Sequence, residues 1–118
     1  MKYLVLLADD PEEWDRATEA ERAVIFDAHR DFAAAVHARA TMLAGEALAG
    51  PETAVTLRPG GADRVVTEGP FAETVEQLGG FYLVEAPDRD AVVDLCRALP
   101  ASYSVEVRPV VDIEGFED

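Results

Sequence analysis

The sequence is short of cysteine, of basic residues and of long apolar runs. Among 118 residues there is one cysteine, Cys96, which excludes an internal disulfide and a zinc site built on several cysteines. With 10 basic and 24 acidic residues, the formal net charge is -14. This charge argues against nucleic-acid binding and against attachment to an anionic membrane. It favours solubility and a neutral or basic partner.

Other absences bound the class of protein further. No apolar run approaches the roughly 20 residues of a membrane span, and the start lacks a signal-peptide layout, so we expect a cytoplasmic location. No His-rich metal spacing occurs, and neither Gly60-Gly61 nor Gly79-Gly80 fits a phosphate loop, so we expect no cofactor and no metal. Hydrophobic residues make up 49% of the chain. That content predicts one globular domain over residues 1–118, with 112–118 a loosely held acidic tail.

The hydrophobic periodicity predicts the order strand, helix, strand, inserted hairpin, strand, helix, strand. Thr18 and Glu21 have capping-box spacing at the start of a long helix that runs to about Arg39. The strands are predicted at 2–8, 42–48, 53–58, 64–67, 81–85 and 104–111, and the second helix runs from its N-cap Asp88 to Pro100. The apolar stripe of the long helix comprises Val24, Ile25, Ala28, Phe32, Ala35 and Val36. With the hairpin set aside, this order predicts an α+β, ferredoxin-like split βαβ fold.

Two of the predicted strands are apolar on both faces. On the first strand Leu4 and Leu6 point to one side and Tyr3 and Val5 to the other, and residues 81–85 repeat this pattern. Two helices can cover only one face of a four-stranded sheet, so the other face needs a further cover. A second copy, related by a two-fold axis, is the simplest one, and we expect a homodimer through the sheet face. The residues expected under the second copy are Tyr3, Val5, Tyr82 and Val84.

The stretch from Thr67 to Ala86 carries the clearest motif. The run from Glu68 to Thr74, followed by the run from Glu76 to Leu83, resembles the signature block of the YCII-related proteins, in the branch named for a DGPF motif. Glu68 stands where that motif has Asp, and Val75 stands where Lys is common. The resemblance extends over nearly the whole chain. It implies a dimeric α+β barrel, and some proteins of this fold act as isomerases or dehydrochlorinases.

The same resemblance makes His29 the first candidate catalytic residue. In the family, a His on the long helix pairs with an Asp just before a Pro near the end of the second helix. His29 matches the His by position, within about one residue, but Leu99 precedes Pro100 here, so the Asp does not carry over. The alternative is an ordinary half-buried helix histidine, which is the commoner case. His37 falls on the opposite side of the helix and is expected to be solvated.

Further candidates come from polar residues in apolar or motif positions. Glu46 lies in an otherwise apolar strand and Glu68 in the motif turn, so either could act as acid or base beside His29. The alternatives are a strand-end carboxylate facing solvent and a turn carboxylate bound to its own backbone. Candidate ligand-binding residues are Tyr82, Arg108 and Phe71, while Arg108 could instead pair with Glu106 or Glu85. Cys96 belongs to the apolar stripe of the second helix and is expected in the core.

Three functions therefore stay open for the sequence. The first is an uncharacterised YCII-type dimer that binds a small molecule in a cavity between sheet and helices. The second is a cofactor-free isomerase or lyase in which His29 and a glutamate move a proton. The third is an accessory protein, because DGPF-type members are often encoded beside extracytoplasmic-function sigma factors.

Overall fold

The structure, a computed structural model, describes residues 1–116. Its elements follow the order that the periodicity predicts, with one additional short helix after the first strand. The strands are β1 (Lys2–Asp9), β2 (Thr41–Ala47), β3 (Val55–Arg58), β4 (Val65–Glu68), β5 (Gln77–Glu85) and β6 (Ser104–Pro109). The helices are α1 (Pro11–Arg16), α2 (Glu19–Arg39) and α3 (Arg89–Cys96), and a 3-10 turn spans Pro51–Thr53.

Four strands form one antiparallel sheet in the order β2-β5-β1-β6, and β3 and β4 form a separate two-stranded sheet. This is the topology of the ferredoxin-like split βαβ pattern, so the predicted α+β fold is confirmed. The four-stranded sheet is open and is not closed into a barrel within one chain. The hairpin of β3 and β4 is the insertion that the sequence predicted.

Helix α2 begins where its capping box predicts. The Thr18 hydroxyl accepts a hydrogen bond from the Glu21 N–H (3.1 Å), and the Glu21 carboxylate accepts one from the Thr18 N–H (2.9 Å). The hydrogen bond from the Thr18 N–H lowers the pKa of the Glu21 carboxyl, because it favours the charged form. Phe32 and Val36 of the predicted stripe are fully buried, but Val24 is 68% exposed and does not belong to it. The fully buried residues of the helix, Phe32 and Val36, both lie in its second half.

Residues 11–16 form a short helix that the hydrophobic periodicity did not predict. The Asp10 carboxylate accepts a hydrogen bond from the Glu12 N–H (3.0 Å), and Pro11 occupies the first turn, where a missing N–H costs nothing. The Asp-Pro pair therefore starts α1 as well as ending β1. Asp9 itself remains in β1, opposite Gln77.

The helices cover the face of the sheet that carries Tyr3, Val5, Leu7 and Val84. These side chains are buried by α2 and α3 in one cluster that also holds Phe32, Val36, Val92, Leu95 and Leu99. The expectation that Tyr3, Val5, Tyr82 and Val84 await a second copy is therefore wrong. Both faces are apolar, so the alternation alone did not say which face the helices take.

The opposite face, here called the open face, is not covered by the helices. Leu4 lies opposite Leu83, and Leu6 lies opposite Phe81, so four partly exposed apolar side chains form its centre. The outer strands add polar residues to the same face: Glu46 of β2 lies opposite Phe81, and β6 contributes Glu106 and Arg108. An apolar strip with a charged border results.

The motif turn holds the base of the hairpin. Gly69 has a φ of 103°, which suits glycine alone, and its N–H donates to the Ala54 carbonyl oxygen (2.7 Å). The Gly79-Gly80 pair does not precede the strand as expected, because β5 already begins at Gln77. At Gly80 a Cβ atom would lie 2.9 Å from the Glu46 carbonyl oxygen, so glycine permits the close pairing with β2.

Beyond β6 the chain has little packing. Ile113 and Phe116, which belong to the tail predicted at 112–118, are exposed, and residues 117 and 118 of that tail lie outside the described residues. Within residues 1–116, no helix combines the length and the apolar character that crossing a membrane requires.

Candidate functional site

The imidazole of His29 is held between two tyrosine hydroxyls. Its Nδ1 atom lies 2.7 Å from the Tyr82 hydroxyl oxygen, and its Nε2 atom lies 3.0 Å from the Tyr103 hydroxyl oxygen. The three residues come from α2, from β5 and from the turn before β6. His29 stands three positions before the buried Phe32, so helical spacing brings its ring to the border of the packed face. The two hydrogen bonds thereby fix the orientation of the imidazole ring.

Packing on three sides positions Tyr82. Its ring lies 4.7 Å from the Phe32 ring, measured between centroids, and 6.0 Å from the His29 ring. On β2, a Cβ atom on Gly45 would come within 2.6 Å of the Tyr82 ring. Only glycine therefore lets the tyrosine lie flat over β2 with its hydroxyl at His29.

The third member, Tyr103, follows α3 in a tight turn. Its N–H donates to the Pro100 carbonyl oxygen (3.0 Å), which fixes the backbone just before β6. Its ring centroid is 5.4 Å from that of His29. Tyr103 was not among the sequence candidates, because its contact with His29 spans 74 positions and no local pattern indicates it.

Burial lowers the pKa of the His29 imidazole below its ordinary value of 6.5. The ring is therefore neutral at pH 7, with one nitrogen donating a hydrogen and the other accepting one. Burial also raises the pKa of both Tyr82 and Tyr103, and the charge of Asp9 adds to the rise at Tyr103. Both phenols are thus protonated, and one of them donates to the imidazole. The other accepts from it and keeps its own O–H free to donate to a ligand.

This trio borders a cleft of about 640 Å³, here called the His29 cleft. Trp14 and Phe26 form an aromatic wall, with ring centroids 5.5 Å apart in an edge-to-face contact. The Arg22 guanidinium stacks 4.5 Å from the Trp14 ring centroid and donates to the Trp14 carbonyl oxygen (2.7 and 3.2 Å). The volume is that of a small-molecule site.

The charged residues that line the His29 cleft are acidic. They are Asp9, Asp15, Glu46 and Glu52, and within residues 1–116 no lysine or arginine joins them. Burial raises the pKa of the Asp9 carboxyl, and the nearby carboxylates of Glu13, Asp10 and Glu76 raise it further. Asp9 was not among the candidates, because it directly follows the first predicted strand, 2–8, and belongs to no motif.

The structure brings two of the sequence candidates together, His29 and Tyr82. Glu46 borders the same cleft from β2, but strand alternation directs its side chain to the open face with Phe81. Neither Glu46 nor Glu68 forms a hydrogen bond with His29, because the partners of the two ring nitrogens are tyrosine hydroxyls. His37 is exposed, as expected.

The other candidates lie outside the His29 cleft. Glu68 ends β4 in the hairpin, and Phe71, 80% exposed, lies under the Arg58 guanidinium at 5.9 Å. Arg108 lies on the open face, where its Nε is 3.5 Å from a Glu106 carboxylate oxygen, the pairing named as the alternative to a ligand role. Arg108 and Phe71 as ligand-binding residues stay predictions.

Cys96 packs against the buried cluster, as its place in the stripe predicts. Burial raises the pKa of its thiol to about 11, so the reactive thiolate is scarce at neutral pH. Within residues 1–116, no group of three or more His, Cys, Asp or Glu side chains is placed to hold a metal ion.

Two comparisons with known proteins bear on this site. The sequence model of a family described as the YCII-related domain matches residues 1–114. An uncharacterised protein of Rhizobium meliloti (strain 1021) is 46% identical over 61 residues, which cover 48% of this chain and 49% of the relative. The chain thus spans about half the length of this curated relative.

Proposed function

The chain belongs to the YCII-related family, and we propose that it binds a small molecule in the His29 cleft. The observation that carries this proposal is the His29 imidazole, clamped at 2.7 and 3.0 Å by two tyrosine hydroxyls at the border of an accessible cleft. The two phenols satisfy both ring nitrogens, and all three side chains line the cleft instead of being enclosed in the core. The clamp leaves one O–H ready for a ligand, and the aromatic wall offers the ligand apolar contact.

A ligand screen by thermal shift tests this proposal. Wild type, His29→Ala and His37→Ala would be screened against one library of metabolites. A ligand that binds only the folded state raises the melting temperature. At a concentration of about 100 times its Kd, such a ligand adds about 2.7 kcal/mol to the free energy of unfolding. We expect hits that disappear in His29→Ala and persist in His37→Ala, which removes an exposed histidine from the same helix. Hits that survive equally in both variants would contradict the proposal.

We further propose that two copies pair through the open face. Leu4, Leu6, Phe81 and Leu83 form an apolar strip with a charged border, which is the composition of an interface core and rim. The chain is 18 Å thick and 48 × 44 Å across, the shape of one sheet with one helical layer. A second copy would add the layer that a two-sided apolar sheet requires.

Sedimentation equilibrium tests the pairing. We expect a dimer for wild type and a monomer for Leu83→Glu, because the new carboxylate would be buried without a partner at the interface. Val24→Glu places the same group on an exposed apolar position of α2 and should remain a dimer. A monomeric wild type, or a Leu83→Glu variant that still dimerises, would contradict this arrangement.

A second candidate function, a cofactor-free isomerase or lyase, is favoured by one observation. The phenol–imidazole–phenol chain can pass a proton between its two ends, since each bond is at most 3.0 Å long. The partner groups in this proposal are Tyr82 and Tyr103 in place of Glu46 or Glu68. Incubation of screen hits with wild type and with Tyr103→Phe, followed by mass spectrometry and NMR, tests it. If wild type returns the ligands unchanged, with no exchange of their hydrogens for solvent deuterium, the enzyme proposal is contradicted and only the binding function stands.

A further inference from the structure

The His29 cleft combines carboxylates with aromatic rings and, within residues 1–116, includes no basic side chain other than the imidazole. Carboxylates and aromatic faces both attract positively charged ligands, and carboxylates repel negatively charged ones. We infer that the ligand of this cleft is a small organic cation, an amine with an aromatic or apolar body, whose ammonium group lies near Asp9. The inference rests on the proposed function and adds the ligand class to it.

The first support is the charge around Asp9. Its carboxylate takes part in no ion pair within residues 1–116, while Glu13, Asp10 and Glu76 concentrate negative charge around it. A cation at this position would relieve that repulsion, whereas an anion would increase it. The neutral imidazole of His29 does not offset the carboxylates. The chain's net charge of -14 acts in the same direction over a longer range.

The second support is the aromatic wall. Aromatic faces attract organic cations as well as apolar bodies, and Trp14 already binds one cation, the Arg22 guanidinium at 4.5 Å. That guanidinium is held by its hydrogen bonds to the Trp14 carbonyl oxygen and does not line the cleft. Phe26 and the two tyrosines supply further ring surface for the body of the ligand.

The third support is the hydroxyl that the clamp leaves free. In either tautomer of a neutral His29, one of the two tyrosine O–H groups has no acceptor in the imidazole. A hydroxyl or carbonyl oxygen on the ligand could accept that hydrogen. The ligand class is thereby narrowed to an amine that also carries an oxygen acceptor.

Three probes with the same phenol body test the charge preference. Tyramine is the cation, 4-ethylphenol is neutral and 4-hydroxyphenylacetate is the anion. Binding would be measured by chemical-shift titration at pH 7 and low salt. We expect tyramine to bind about tenfold more tightly than 4-ethylphenol, with the anion weakest, and the preference to shrink as salt is added. The shifts should map to residues of the His29 cleft.

Asp9→Asn identifies the group that creates the preference. It should weaken tyramine binding by about fivefold and leave 4-ethylphenol within about twofold, since only the cation uses the charge. Asp31→Asn makes the same change at an exposed site on α2, outside the cleft, and should alter neither affinity.

The outcomes separate this inference from the function on which it rests. Equal or tighter binding of the neutral or anionic probe would overturn the cation preference. If none of the probes binds but the library yields neutral or anionic ligands that depend on His29, the cation class is overturned and the binding function stands. If none of the probes binds and the library yields no such ligand, both fail.

Discussion

The two faces of the four-stranded sheet are built from the same strands and have different surroundings. On β1, Val5 is fully buried under the helices, whereas its neighbour Leu4 on the open face is partly exposed. On β5 the same contrast separates Val84 from Leu83. Apolar residues on both faces of a strand therefore do not show which face the helices cover.

The contrast also locates the His29 cleft. It opens at the border of the covered face, where the helical layer ends and Tyr82 and Tyr103 reach past the buried cluster. Burial there is sufficient to lower the pKa of His29, yet the cleft remains accessible. The covered face thus provides both the core and the candidate site, and the open face provides the candidate interface.

The largest expected effect on stability comes from truncating a buried side chain on the covered face. Phe32→Ala removes a fully buried ring and should lower the free energy of unfolding by about 3–5 kcal/mol, because it loses apolar burial and leaves a cavity. Urea unfolding at a fixed, low protein concentration measures it.

Leu4→Ala is the matched change on the open face. It should cost about 1 kcal/mol or less at low protein concentration, because its side chain is already partly hydrated. If a second copy covers Leu4, this cost should grow with protein concentration. If Phe32→Ala and Leu4→Ala lose the same free energy of unfolding at every protein concentration, the two faces do not differ in the way described.

A smaller effect is expected at the border of the covered face. Gly45→Ala would place a Cβ atom 2.6 Å from the Tyr82 ring and displace it, which should cost about 1–3 kcal/mol of stability. It should also break the bond to His29 and abolish ligand hits. Ala44→Ser adds one atom to the neighbouring residue on the other face, and we expect little change there. A Gly45→Ala variant with wild-type stability and ligands would show that the clamp does not depend on this contact.

The smallest effect concerns Asp9. Its raised pKa means that the folded protein binds more protons than the unfolded chain between pH 3.8 and the folded-state pKa. The free energy of unfolding therefore falls as pH rises through that window, and it stays lowered above it. Asp9→Asn should gain stability relative to wild type between pH 3.5 and pH 7, as measured by urea unfolding, whereas Asp31→Asn should not. An Asp9→Asn difference that is independent of pH would indicate an ordinary carboxyl.

Local signals predicted most of the fold. The capping box at Thr18 and Glu21, the stripe of α2 and the turn at Gly69 each depend on residues near one another in sequence, and the structure shows all three. Val24 fitted the period but is exposed, in the half of the helix that precedes the buried Phe32 and Val36, and periodicity does not show how far along a helix the packing extends. The assignment of the two faces failed for a similar reason, since it depends on where the helices pack.

The candidate site was predictable only in part. His29 and Tyr82 were named from the family resemblance and from strand composition, but their bond spans 53 positions. Tyr103 and Asp9 joined them only through the topology, which brings the end of β1 and the start of β6 together, with Ser104 opposite Ala8. The DGPF branch, the single-domain assignment, the cytoplasmic location and a sigma-factor partner stay predictions.

The most direct measurement is a titration of the His29 imidazole by 15N NMR, with the signals assigned by comparison with His29→Gln. The structure predicts a pKa below 6.5 and a neutral ring at pH 7 with one protonated nitrogen, held in one environment by Tyr82 and Tyr103. Tyr82→Phe and Tyr103→Phe should each change the signal of the nitrogen that they face. A pKa at or above 6.5, or nitrogen shifts indifferent to both substitutions, would contradict the clamped histidine on which the proposed site depends.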